Sequence, residues 1–210
     1  MNRVMVTGAT RAPGRNVATA LAKKGWEVHA LGRDRIALEE MRGDFGICPM
    51  AMDLTDRDYV RLVAEGLQLD AIVHAALRWP EEGSFLRLAE ADIDMALEVN
   101  LSATLHLTRA IVPSMIAQGY GTVIMIAPSS ADRSTFLERS LASAISGVSD
   151  ALRHDLVGTG VSVHSVSFDG TNAESLGQEA IALLAGADTP ANYDTRKLIS
   201  NQRQERKNGT

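Results

Sequence analysis

Residues 4–34, VMVTGATRAPGRNVATALAKKGWEVHALGRD, constrain this chain more than any other stretch. Val4, Met5 and Val6 form a short apolar run that breaks at Thr7-Gly8, and from Asn16 to Lys24 the apolar residues Val17, Ala20 and Leu21 fall on one helical stripe. A second apolar run, Trp26 to Leu31, ends in Gly32-Arg33. Strand, glycine turn, helix and strand in this order predict a parallel βαβ unit. The first backbone N–H groups of a helix lack partners within it and carry the positive end of its dipole, so the junction suits a phosphate. Gly8 and Gly14 keep side chains out of its way, and Pro13 fits the first helical turn, where a missing N–H costs nothing.

The turn TGATRAPG resembles the TGxxxGxG turn of the short-chain dehydrogenase/reductase family, with Thr7, Gly8 and Gly14 in register and Ala12 in place of the middle glycine. The resemblance implies a pyrophosphate over this turn, with one extra methyl beside it. NAD-specific proteins more often end the second strand on an acidic residue that holds the ribose 2′-hydroxyl, whereas Arg33 suits a 2′-phosphate. Arg11 occupies a position that is basic in many NADP-dependent relatives, so two guanidiniums are expected to share one dianion. The expected cofactor is NADP(H). Its expected contacts are Thr7, Gly8, Thr10, Arg11, Ala12, Pro13 and Gly14 in the turn, Arg33, Asp53 and Leu54 after the second and third strands, and Ala75 and Ala76 after the fourth. In the family an aspartate at the Asp53 position contacts the adenine, and a helix-cap or turn role suits Asp53 equally well.

Further along, short β-like runs alternate with longer helical patterns: helix over Arg35 to Met41, strand near Ile47 to Met52, and strands at Ala71 to Ala76, Gly121 to Ile126 and Val161 to Val166. The expected fold class is α/β, a Rossmann-like doubly wound parallel sheet in a single domain with a truncated C-terminal substrate lid. Residues 1–195 are expected to form that domain and 196–210 a basic, flexible tail. A chain of 210 residues with 45% hydrophobic content supports one such core.

The catalytic part of the resemblance is uneven. Val99-Asn100 and Thr108-Arg109-Ala110 match the family's fourth large helix, where Asn100 corresponds to an asparagine that organises a water chain to the catalytic lysine. Leu97, Leu101, Leu105 and Leu107 suggest that this helix packs broadly, and a subunit interface is one use for it. The family's NNAG segment reads HAAL here, introducing His74, and Trp79 and Phe85 follow as pocket, core or lid residues. The serine expected after the fifth strand aligns with Pro128, with Ser129 and Ser130 immediately after it. The YxxxK pair falls on Glu138 and Ala142 when Gly147 anchors the helix; there is no tyrosine between Tyr120 and Tyr193 and no lysine between Lys24 and Lys197. Alanine can neither hold a ribose nor lower a neighbour's pKa, and a helix-start carboxylate such as Glu138 is more simply explained by the dipole. Asn100, Ser129, Ser130 and His74 therefore stand as the candidate catalytic residues.

Carbonyl/alcohol oxidoreduction of the ketoreductase type is the expected activity, with a nonstandard or substrate-assisted proton source or as the tetrad-deficient subunit of a heteromer. The alternative is a non-redox NADP(H)-responsive regulator, or an isomerase or cyclase. The expected substrate is a small carbonyl or alcohol compound, and the expected assembly a homo-oligomer or a hetero-oligomer with a complete subunit. Net charge of −5 argues against broad binding to nucleic acid or anionic membrane. Cys48 is the only cysteine, which excludes an intramolecular disulfide and a cysteine-based metal cluster, and the five histidines do not fall at ligand spacing. No metal is expected. Without a signal peptide or an apolar span, a cytoplasmic location is expected.

Overall fold

The computed structural model describes residues 2–80, 83–129 and 135–186. Six strands form one fully parallel sheet: β1 (Arg3–Thr7), β2 (Glu27–Gly32), β3 (Cys48–Ala51), β4 (Ala71–His74), β5 (Gly121–Pro128) and β6 (Val161–Phe168). Their spatial order is β3-β2-β1-β4-β5-β6. The chain winds outward from β1 through β2 and β3, returns across the sheet to β4, then winds the other way. Strand order thus reverses between β1 and β4, the place where open α/β sheets bind ligands beyond the strands' carboxyl ends.

Seven α-helices occur among the described residues: α1 (Gly14–Lys23), α2 (Arg35–Phe45), α3 (Arg57–Glu65), α4 (Glu90–Leu97), α5 (Ala103–Gln118), α6 (Phe136–Asp155) and α7 (Ala173–Ala185). One face of the sheet meets α1, α2 and α7 through Val4, Val6, Val17, Leu21, Leu38, Met41 and Leu176. The other meets α3, α5 and α6 through Met5, Leu31, Val60, Leu107, Ile111, Met115 and Ile145. With helices on both faces, strand residues of either parity are buried; all eight residues of β5 are.

Several local expectations shift. Pro13 is the residue before α1 rather than the first within it, and Ala18, not Ala20, joins Val17 and Leu21 in the core. Ala20 faces α7, where a Cβ on Gly177 would come within 2.6 Å of its own Cβ; glycine lets the two helices approach. The leucine stripe changes more. A π turn, Glu98–Ser102, joins α4 to α5, and the leucines do not form one buried stripe: Leu107 is buried while Leu97 and Leu105 remain 42% and 39% exposed. The expected tail, 196–210, and the end of the expected domain lie outside the described residues.

Candidate functional site

The glycine turn connects β1 to α1 at the carboxyl edge of the sheet. Gly8 has φ +64°, and a Cβ there would lie 2.6 Å from the Ala76 Cα; one on Gly14 would lie 2.5 Å from the Gly8 carbonyl oxygen. Both positions therefore exclude any larger residue. Thr7 is buried, and its hydroxyl accepts hydrogen bonds from the Ala75 and Ala76 N–H groups at 3.1 and 3.2 Å. Thr7 thus ties the end of β4 to the turn, bringing Ala75 and Ala76 beside Gly8. Arg11 and Ala12 are exposed on the rim, and the residue before α1, Pro13, supplies no side-chain cap to its first turn.

The neighbouring strands complete this edge. Thr10 packs against Gly32, where a Cβ would meet the Thr10 Cγ2 at 2.6 Å, a constraint that strand patterning alone does not reveal. Arg33 follows directly, with Nη1 3.6 Å from Asp53 Oδ2 beyond the end of β3. The Asp53 Oδ1 accepts from the Thr55 N–H and hydroxyl at 3.0 and 2.9 Å. These bonds, above all the backbone one, with Arg33 adding to them, hold the Asp53 carboxyl below its ordinary pKa. Asp53 is thus a turn residue, while Asp56 caps α3 by accepting from the Tyr59 N–H. Leu54 is half-buried and lines a depression of about 490 Å³ between α3 and α5, with Arg57, His106, Arg109 and Pro113. None of the turn residues from Thr7 to Gly14 borders that depression, so it is not the nucleotide edge.

Three of the four candidate catalytic residues can be located. His74, the last residue of β4, is 4% exposed, with Nε2 2.8 Å from the Thr108 hydroxyl. The single Thr108 proton goes to the Thr104 carbonyl at 2.8 Å, so His74 donates from Nε2. Burial pushes the His74 pKa down to about 3. Asn100, in the π turn and 2% exposed, accepts from the Arg78 N–H at 3.0 Å and donates to the Arg78 and Ala96 carbonyls, both at 2.7 Å. Its amide clamps the segment after β4 onto the α4–α5 junction. Ser129 follows β5, and its N–H donates to the Phe168 carbonyl at 2.7 Å. Ser130 lies outside the described residues.

Glu138 sits in the first turn of α6 and closes a capping box: its carboxylate accepts from the Thr135 N–H at 2.6 Å while the Thr135 hydroxyl accepts from the Glu138 N–H at 3.3 Å. The pattern Thr-Phe-Leu-Glu announces that box in the sequence. Ala142 is buried one turn further on, beside Leu141, which packs with Leu137, Ala96, Trp79 and Leu88. Phe85 meets Phe136 with centroids 4.5 Å apart and the rings tilted by 43°, and both residues are exposed. Tyr120 is remote: it precedes β5 at the amino edge of the sheet and donates its hydroxyl to Asp70 at 2.8 Å. Tyr193 lies outside the described residues.

A doubly wound parallel sheet with a glycine turn at its switch point is the architecture of a nucleotide-binding α/β protein. The family model described as short chain dehydrogenase matches residues 2–180. An uncharacterized short-chain type dehydrogenase/reductase from Sinorhizobium fredii is 34% identical over 169 residues, covering 78% of this chain and 68% of the relative. A D-erythrulose reductase from Gallus gallus is 33% identical over 135 residues, covering 62% of this chain and 54% of that enzyme, so the chain spans about half of it. Among solved structures, a metagenomic short-chain oxidoreductase in complex with NADP superposes with a TM-score of 0.82 at 23% identity, covering 91% of this chain and 94% of that one. The chain belongs to the short-chain dehydrogenase/reductase family, whose members are nicotinamide-dependent oxidoreductases.

Proposed function

We propose that this protein binds NADP(H) across the carboxyl edge of β1, β2 and β4 and takes part in carbonyl/alcohol oxidoreduction with a proton source other than the family's phenol. The observation that carries this reading is Arg33, exposed directly after β2 and in a long ion pair with Asp53. A guanidinium in that place offers paired donors to a 2′-phosphate. The residues fit the cofactor: Gly8 and Gly14 keep the turn low, Ala75 and Ala76 keep bulk from the neighbouring strand end, and Pro13 supplies no side-chain cap competing for the N–H groups of the first turn of α1. Arg11, on the rim of the same turn, adds a second positive charge.

The nicotinamide supplies hydride when bound. Among the described candidates, His74 is neutral, buried and engaged with Thr108; Asn100 spends its amide on Arg78 and Ala96; Glu138 is committed to its capping box. On its position alone, directly after β5 at the carboxyl edge of the sheet, Ser129 is the hydroxyl we assign to orienting the substrate carbonyl, and the proton then comes from substrate or water. A subunit of this kind also suits a heteromer in which a complete chain supplies the phenol.

NADPH oxidation followed by absorbance against a panel of small ketones and aldehydes tests the reading. Turnover that falls at least tenfold in Ser129→Ala, with NADPH affinity unchanged, supports it. Turnover indifferent to Ser129 contradicts the serine's role, and no turnover either alone or mixed with a complete family member contradicts the redox assignment.

A further inference from the structure

At the amino end of the sheet, opposite the glycine turn, three side chains of different chemistry converge on one face. Glu27 and His29 are two residues apart on β2 and so share a side of the strand, and Cys48, the first residue of β3, is paired in register with His29. One ligand atom from each, a carboxylate oxygen, an imidazole nitrogen and the thiol sulfur, all lie within 4.8 Å of one another. His29 Nε2 is shielded from solvent and has no hydrogen-bond partner among the described residues, although the Glu27 Oε1 stands only 3.2 Å away. A buried imidazole nitrogen left without a hydrogen bond, beside a carboxylate and a thiol, is an arrangement that a shared cation would satisfy. The other Glu27 oxygen is accounted for, accepting from Arg3 Nε at 3.3 Å.

We propose that Glu27, His29 and Cys48 form a binding site for a borderline-soft divalent ion of the zinc type. Nitrogen, sulfur and carboxylate oxygen together are the donor set that zinc takes, and a magnesium or calcium site would offer oxygens alone. Ligand atoms around a tetrahedral zinc lie about 3.3–3.8 Å apart, so the Glu27–His29 pair is close to that spacing already and the thiol closes in by at most about 1.3 Å. Binding takes the thiolate, the displaced proton passes to solvent, and water fills the fourth position. Arg3 orients the carboxylate from behind. His29 is three residues before Gly32, about 10 Å along β2 from the cofactor edge, so the ion ties β2 to β3 and takes no part in hydride transfer. Sequence spacing hides this site, because the third ligand arrives through strand pairing and not along the chain.

The test is titration of the untagged, reduced full-length protein with Co²⁺, followed by displacement with Zn²⁺. We expect one Co²⁺ per chain, a thiolate-to-cobalt charge-transfer band that vanishes in Cys48→Ser, and affinity at least tenfold weaker in His29→Ala and in Glu27→Gln. No such band in the wild-type protein overturns the site without recourse to any variant. A band whose affinity is indifferent to His29→Ala and Glu27→Gln also overturns it, since the thiol is then capturing metal alone. NADPH binding in the presence and absence of Zn²⁺ is read separately and is expected to be unchanged.

Discussion

Arg33 and Asp53 meet across the carboxyl ends of β2 and β3, with Nη1 and Oδ2 3.6 Å apart and side chains 64% and 44% exposed. A pair so open to solvent contributes little to stability, which leaves the guanidinium available to a stronger anion. In Asp53→Asn the Oδ1 acceptor that organises the Thr55 turn is retained while the competing charge is removed. NADPH affinity in that variant is expected to rise, by less than about fivefold, as suits an exposed pair. Fluorescence titration of the bound nicotinamide checks this; a loss of affinity would mean that Asp53 helps hold the cofactor through its charge.

Asn100 makes three hydrogen bonds to backbone groups of Arg78 and Ala96 from a buried position. Asn100→Ala leaves those groups without partners and is expected to cost about 2–4 kcal/mol in chemical denaturation. Because the clamp holds the segment after β4, hydrogen exchange near residue 78 should speed up more than in β5. A loss below about 1 kcal/mol would show that water replaces the amide.

His74 carries the clearest pH signature. Its pKa in the folded protein, lowered to about 3 by burial, lies below the ordinary value of 6.5. Between those two values the unfolded chain binds the proton and the folded chain does not, so stability is lost as pH falls from 6.5 towards 3. The slope approaches about 1.4 kcal/mol per pH unit. His164, also lowered by burial, adds in the same direction. Denaturation of the wild type and of His74→Gln at pH 7 and pH 5 isolates the His74 share: the wild type should lose about 1–2 kcal/mol more than the variant. Equal losses would place the proton elsewhere.

Gly32 and Thr10 are coupled by contact, since a Cβ on Gly32 would lie 2.6 Å from the Thr10 Cγ2 and 3.2 Å from its Oγ1. Gly32→Ala is expected to destabilise by about 1–3 kcal/mol, and Thr10→Ser in the same chain to recover part of that by removing the methyl. A double-mutant cycle with no coupling energy would show that the strand end moves aside.

Much of the fold is legible in the residues themselves. Six apolar runs separated by helical patterns point to a parallel sheet, and each falls on an observed strand. The glycine turn and Arg33 announce the carboxyl edge, because φ +64° at Gly8 and its contact with Ala76 admit no other residue. What stays hidden depends on three-dimensional register. The π turn at Glu98–Ser102 lies within the leucine pattern, and nothing in a heptad-like spacing signals it. His74 reads as a lone histidine at a strand end, and its partner Thr108, 34 positions later, is visible only in the folded chain. The phosphate edge is local in sequence; the partners of the candidate catalytic side chains are not.

Calorimetric titration of the wild-type protein and Arg33→Ala with NADPH and with NADH reads the 2′-phosphate contact itself. The wild type is expected to prefer NADPH, and Arg33→Ala to lose at least tenfold in NADPH affinity, about 1.4 kcal/mol, while NADH binding changes little. Equal weakening of both cofactors, or no heat with NADPH at all, would contradict the NADP(H) reading.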